Sequence, residues 1–181
     1  MIIRPATEAD AQALADIYGD AVLHGFGTFE EAPPGPADMD ARRRTIQEQG
    51  LPYLVAEVDG QVLGFAYAGP FRPRAAYRYT LEDSVYVSPA AKGQGVGRAV
   101  LSAVIAACEA LGVRQLMAVI GDSGNAGSIG LHRALGFEQT GIGRSVGFKH
   151  GRWVDIVHMQ KPLNGGDGRL PDGGGVTLTG H

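Results

Sequence analysis

Two spacings of apolar residues alternate along this chain. Leu14, Ile17, Tyr18, Ala21 and Val22 recur at the three-and-four interval of an amphipathic helix. Thr7 is a fitting N-cap for it, with Asp10 three places on, and Gly25 ends it. Ile2-Ile3-Arg4 before it is a short candidate strand. The pattern lapses from Phe26 to Pro36, a loop with aromatics at Phe26 and Phe29, and a second helix is expected from Ala37 to Gln49. The period then shortens. Tyr53–Val58 and Val62–Ala68 read as strands joined by Asp59-Gly60, a strong hairpin signal. The polar-aromatic segment Phe71–Arg78 leads into Leu81–Val87, which alternates and ends in Val-Tyr-Val, as a strand does. Helical spacing returns at Val96, Val100, Ala103, Val104, Ala107 and Leu111. Gln115–Ile120 reads as a buried strand and Asn125–Leu135 as a short helix. Phe137–Phe148 and Trp153–Gln160 alternate as two last strands, joined through Lys149-His150-Gly151-Arg152.

The resulting order, β-α-α-β-β-β-α-β-α-β-β, predicts an α/β (α+β) fold. Antiparallel hairpins come first and a strand–helix–strand crossover follows, which gives a mixed sheet of about seven strands with helices on both faces. The length suits one domain, taken as residues 1–162. Residues 163–181 are glycine-rich and polar, with little to bury, and are expected to form a flexible tail.

Composition narrows the function. With 44% apolar residues the chain can build a core, and a net charge of −3 leaves no electrostatic footprint for nucleic acid. Arg42-Arg43-Arg44 lies on an expected helix and reads as its solvated face. No apolar run reaches membrane-spanning length and no leader pattern opens the chain, so a soluble cytoplasmic protein is expected. The five histidines show no metal-ligand spacing, and no metal is expected. Cys108, the single cysteine, falls on the core side of its helix and reads as packing.

The chemistry concentrates between the strand ending at Val87 and the helix opening at Val96. Gly93, Gly95 and Gly97 crowd into this turn. Such a turn aims free backbone N–H groups and a helix dipole at one point, where an anion such as a pyrophosphate fits. The dinucleotide pattern G-x-G-x-x-G fails because Arg98 stands sixth, and no Gly-Lys-Ser/Thr closes a P-loop. Two readings of Lys92–Gly97 stay open on these residues alone: a pyrophosphate loop, or a turn whose glycines only reverse the chain. On the strand before it, Glu82, Ser84 and Tyr86 share one face. That face either lines a cleft or meets solvent.

Five segments in this order resemble the GNAT superfamily of N-acetyltransferases, and within it the phosphinothricin and methionine sulfoximine acetyltransferases. They are Tyr79–Val87 (YTLEDSVYV), the Gly93–Arg98 loop, Asn125–His132 (NAGSIGLH), Leu135-Gly136-Phe137, and Val146–Asp155 (VGFKHGRWVD). Lys92 stands where the family has Gln or Arg, and the turn before Asn125 is one residue longer than the family's. The resemblance covers Ile2 to about Lys161.

The resemblance implies acetyl transfer from acetyl-CoA to the primary amine of a small amino acid analogue. It implies a splay between the fourth and fifth strands, Leu81–Val87 and Gln115–Ile120, with pantetheine between them. A bulge in the fourth strand is part of the expectation. Backbone groups of Val85, Tyr86 and Val87 would bind pantetheine and the thioester; Gly93, Gln94, Gly95, Val96, Gly97 and Arg98 would wrap the pyrophosphate. Asn125 would hold pantetheine from the other strand, beside Ser128. An ammonium must lose a proton before it attacks, and the resemblance favours Glu82 as general base. Many relatives have a tyrosine where His132 stands, so His132 is either a general acid for the thiolate or a packed helix histidine. Arg72 would take the acceptor's carboxylate, with Arg74 nearby. Tyr77, Phe29, Ala75, Ala76, Asp83 and Ser84 would border the acceptor, the last four through backbone groups. Family members often form dimers, so a homodimer is expected. Two other functions remain open: acetylation of a peptide or protein amino terminus, and an acetyl-CoA sensor without turnover.

Overall fold

Asp59 and Gly60 both take left-handed backbone conformations, with φ of 50° and 78°. That is what a two-residue hairpin turn needs, and the Asp-Gly pair supplies it at low cost. It joins β2 (Tyr53–Val58) to β3 (Gln61–Pro70). The computed structural model describes residues 1–177. Its other elements are β1 (Ile2–Pro5), α1 (Ala11–His24), α2 (Pro36–Glu48), β4 (Thr80–Val87), α3 (Val96–Ala110), β5 (Gln115–Gly121), α4 (Ala126–Ala134), β6 (Glu138–Lys149) and β7 (Arg152–Pro162). The expected order of strands and helices is the order found. A 3-10 turn, Glu8–Asp10, precedes α1, and there Thr7 N–H donates to the Asp10 carboxylate at 2.7 Å.

The strands form one sheet in the order β1-β2-β3-β4-β5-β7-β6. Only β4 and β5 run parallel; every other neighbouring pair is antiparallel. On one face, Leu14, Ile17, Tyr18 and Val22 of α1 and Met39 of α2 pack on Tyr53, Val55 and Phe65. On the other, Val96, Val100, Leu101 and Val104 of α3 cover Leu81, Leu116, Ala118 and Met159. Each fully buried Val, Leu or Met side chain among these contributes roughly 1.5–3 kcal/mol. The alternation of β4 follows: Leu81, Val85 and Val87 join the α3 side, and Tyr86 packs on the α1 side.

The parallel ladder is short. It runs from Thr80 opposite Gln115 to Asp83 opposite Ala118. Beyond that β4 stays paired with β3 as far as Val87, and β5 stays paired with β7 as far as Gly121. Each strand is held from its outer side while the inner edges part. The register of β4 on β3 is continuous from Leu81 to Val87. The bulge expected in β4 is therefore not found, and the splay comes from divergence of the two strands.

The stretch expected as a flexible tail is attached over its described part. Leu163 is buried in the main core, and the guanidinium of buried Arg114 donates to the carbonyls of Gly166 (2.8 Å) and Arg169 (2.7 Å). Composition hid this because the contacts use backbone carbonyls, which every residue has. Residues 178–181 of that expectation lie outside the described residues. Among the described residues no helix is long and apolar enough to cross a membrane.

Candidate active site

Where β4 and β5 part, a cleft of about 740 Å³ opens. Its walls are Ser84–Val87 from β4, Ala118–Gly121 from β5, the first turns of α3 and α4, and the end of α1 with the loop after it. On one rim sits the glycine turn. Gly93 and Gly95 have φ of 79° and 83°, which side chains larger than glycine adopt at a cost. Gly95 is the N-cap of α3 and offers no capping side chain. The N–H groups of Val96, Gly97 and Arg98 in the first helical turn have no carbonyl one turn back to bond. They face the cleft rim together with the positive end of a 15-residue helix. Gly97 has an ordinary φ; a Cβ there would come within 3.2 Å of Val87 and 3.3 Å of Leu131, so its small size lets α3 approach β4. Gln94 does not line the cleft: it is exposed, and its amide donates to Ala90 O at 2.8 Å.

The inner edges of the strands supply the next set of groups. Ser84–Val87 make no ladder with β5, so their inward backbone groups are free to pair with an extended ligand. Across the cleft, Asn125 is the N-cap of α4. Its Oδ1 accepts from Ser128 N–H at 3.1 Å, and its amide donates to Gly121 O at 3.4 Å. Asn125 and Ser128 both line the cleft, with the Asn125 side chain engaged in shaping its own helix start.

At the fork itself a buried acid meets a buried histidine. Asp83 and His132 have side chains 1% and 3% exposed, and His132 Nε2 lies 3.0 Å from Asp83 Oδ2. His132 Nδ1 lies 2.8 Å from Ser128 O, so that nitrogen carries a hydrogen and donates it. Burial raises the Asp83 carboxyl above its ordinary range, against the pull of the imidazole beside it. Burial alone would lower His132, but the Asp83 carboxylate and the Ser128 carbonyl overcome it and raise it. Both shifts favour holding a proton, so the pair retains one to higher pH than a free imidazole. Among the described residues Asp83 Oδ1 has no hydrogen-bond partner. Asp83 is among the residues that line the cleft, and its side chain is engaged with His132, a pairing that strand alternation alone did not reveal.

Glu82 points to the opposite face of β4 from Asp83 and is half-buried. Burial raises its carboxyl, the Arg72 charge draws it down, and Asp83 pushes it up. Ser84 stands two places on and pairs across the ladder with Tyr67. Arg72, Arg74, Ala75, Ala76 and Tyr77 are all exposed, on a segment with one 3-10 turn, Ala75–Tyr77. The Arg72 guanidinium lies over the Phe71 ring at 4.7 Å, and Tyr77 meets that ring edge-on at 5.6 Å. Phe29 is partly exposed and lies over Gly147, where a Cβ would run into its ring. Glu82, Phe29 and the Arg72–Tyr77 segment all lie outside the cleft walls.

Sequence reasoning missed the device that closes the cleft's far wall. The loop Gly25-Phe26-Gly27 forms that wall. Lys149, 1% exposed, donates to Gly25 O and Thr28 O, both at 2.9 Å. Burial lowers its ammonium. Phe26 lies under the Arg152 guanidinium at 3.9 Å, and Arg152 donates to Asp122 at 2.5 Å. Gly121 lets the loop lie this close, since a Cβ there would run into the Phe26 carbonyl. Alternation requires Phe148 and Lys149 to point oppositely; it does not say which one is inside. The inward one is the lysine, and Phe148 is 59% exposed.

A mixed sheet with two splayed parallel strands, and an anion-ready helix start beside the gap, defines an acyl-CoA-type transferase fold. The acetyltransferase (GNAT) family matches residues 19–137, and the chain belongs to that family. It is 55% identical to a phosphinothricin N-acetyltransferase of Alcaligenes faecalis, over 94% of this chain and 86% of that protein. It is 44% identical to an L-methionine sulfoximine/L-methionine sulfone acetyltransferase of Pseudomonas aeruginosa, over 90% of this chain and 94% of that one. A crystal structure of a phosphinothricin acetyltransferase from Sinorhizobium meliloti, in complex with AcCoA, superposes with a TM-score of 0.92. It shares 48% identity, with 96% of this chain and 94% of that chain covered. The protein is an acetyltransferase. Among the described residues no group of three or more His, Cys, Asp or Glu is placed to hold a metal ion.

Proposed function

We propose that this enzyme acetylates the primary amine of a small amino acid analogue, of the phosphinothricin, methionine sulfoximine or methionine sulfone type, with acetyl-CoA as donor. The observation that carries it is the fork. Free strand edges run from a helix N-terminus to the end of the parallel ladder, and Glu82, a half-buried carboxyl, stands in that ladder one residue before Asp83, an arrangement that suits a long pyrophosphate-bearing ligand whose reactive end must meet an amine. The names of the relatives support the acceptor class. Residues 1–162 form the acetyltransferase domain in this reading.

Acetyl-CoA supplies an activated thioester. The chain's residues do the rest. The N–H groups of Val96–Arg98, with the turn at Gly93–Gly95, hold the pyrophosphate. Backbone groups of Val85–Val87 align the pantetheine arm and polarise the carbonyl. Arg72 binds the acceptor's carboxylate, and Glu82 takes the proton from its ammonium. A raised carboxyl accepts that proton more readily than an ordinary one. For His132, two bonded ring nitrogens support the packed alternative, in which it braces α4 against β4.

A second copy of the chain is the proposed partner. Val146, Phe148 and Trp153 are 54%, 59% and 63% exposed on the β6–β7 hairpin, an apolar face of the kind that homodimers bury. Use of acetyl-CoA supports a cytoplasmic setting. The test is a thiol-release screen across methionine sulfoximine, methionine sulfone, phosphinothricin and amino-terminal peptides. Release with the three analogues is expected. Release with peptides alone would move the acceptor to protein amino termini. No release beside a clear acetyl-CoA thermal shift would make the protein a sensor.

A further inference from the structure

Residues 164–177 belong to no strand or helix, yet they are anchored at two separate places. The first is Arg114, whose guanidinium takes the carbonyls of Gly166 and Arg169. The second lies further on. The Tyr79 hydroxyl donates to Gly173 O, and Val176 N–H donates to Arg78 O at 2.8 Å. Val176 packs on the core that contains Leu81 and Leu116. Gly175 has φ of 75°, and a Cβ there would sit 2.7 Å from Arg78 O, so this approach requires glycine.

What the second anchor holds is the end of the exposed segment before β4. Arg78 Nη1 donates to Ala75 O at 3.0 Å, inside the 3-10 turn. Tyr77 in that turn meets Phe71 edge-on, and Phe71 carries the Arg72 guanidinium on its face. Arg72 is the cation whose charge reaches Glu82. Residues 72–78 are all exposed and have no core of their own. A segment of this kind samples many conformations unless its ends are fixed. One end leaves β3 at Pro70; the other is gripped by the returning chain.

We propose that residues 173–177 are a positioning strap, which orders the Phe71–Arg78 segment and so places Arg72 to receive the acceptor's carboxylate. The proposal rests on the acceptor reading given above. Its test uses the full chain with Gly175→Val, which forces the strap off Arg78, and Tyr79→Phe, which removes one bond. Neither touches the carbonyls that Arg114 uses. With methionine sulfoximine as acceptor, KM should rise about fivefold in Gly175→Val, the scale of one or two side chains newly ordered on binding. Tyr79→Phe should move it less, in the same direction. kcat at saturation and acetyl-CoA affinity should stay near those of the parent, and Tm should fall only by the small amount that Val176 contributes at the edge of the core. Amide exchange at residues 71–79 should quicken in Gly175→Val. Unchanged exchange there overturns the strap, whatever the acceptor is. So does an unchanged KM in Gly175→Val when Arg72→Ala raises it. A matching loss of acetyl-CoA affinity and Tm would also overturn it, by making the contact general support of the fold. An Arg72→Ala enzyme with unaltered KM would instead refute the acceptor reading, and the exchange result would still decide the strap.

Discussion

Glu82 and Asp83 are neighbours in sequence with opposite surroundings. Strand alternation leaves Glu82 half-buried on one face and sends Asp83 into the core beside His132 on the other. Replacing Glu82 by Gln removes the proposed proton acceptor and is expected to lower turnover by about a hundredfold or more near neutral pH; an unchanged rate would dismiss it as the base. Because burial raises Glu82 above its ordinary 4.5 while Arg72 draws it down, two pH effects follow. The acid limb of kcat/KM should fall through an apparent pKa above 4.5, and Arg72→Ala should move that limb to higher pH. The Asp83–His132 pair acts on stability instead. The folded-state pKa of His132 is raised above 6.5, so its contribution is complete below pH 6.5 and is lost as pH rises through the raised value. Tm measured from pH 6 upward should therefore decline more steeply in the parent than in His132→Gln (the window set by the ordinary imidazole value). Parallel slopes would mean that the imidazole carries no proton into the fold.

Among the elements, the loop after α1 is the one whose position is least dictated by its own residues. Gly25–Thr28 has no regular structure and lies where Lys149, Arg152 and the flat surface of Gly121 allow. Lys149→Met keeps the volume and removes the donors, leaving two inward carbonyls unmatched. The expected cost is about 1–3 kcal/mol in urea unfolding, with the cleft wall at Phe26 loosened and acetyl-CoA affinity reduced. A variant as stable and as tight-binding as the parent would show that water replaces the ammonium. The glycine turn is the contrary case. Its geometry was legible because Gly93 and Gly95 need left-handed backbone for the chain to turn into α3, and that requirement is written in the residue type.

For the whole molecule, the exposed face at Val146, Phe148 and Trp153 makes a prediction about assembly. Sedimentation of the parent should show a dimer, and Trp153→Glu should shift it towards monomer; a monomeric parent would leave that face without its proposed partner. The same hairpin shows where reading from sequence ran out. Periods of two and of three-to-four residues, with Asp59-Gly60 and Gly93–Gly97 as punctuation, were enough to set every strand and helix in order, because local backbone preference and side-chain phase are properties of neighbours along the chain. The chain alone also placed the anion-ready helix start and put Glu82 and Asp83 on opposite faces. Tertiary structure decided the rest. Which of Phe148 and Lys149 turns inward, that Asp83 finds His132, that β4 splays without a bulge, and that the last described residues return to Arg78 all depend on partners 30 to 120 or more positions away. Such contacts leave no local period, since they are made by burial, backbone carbonyls and charge meeting only once the sheet has closed.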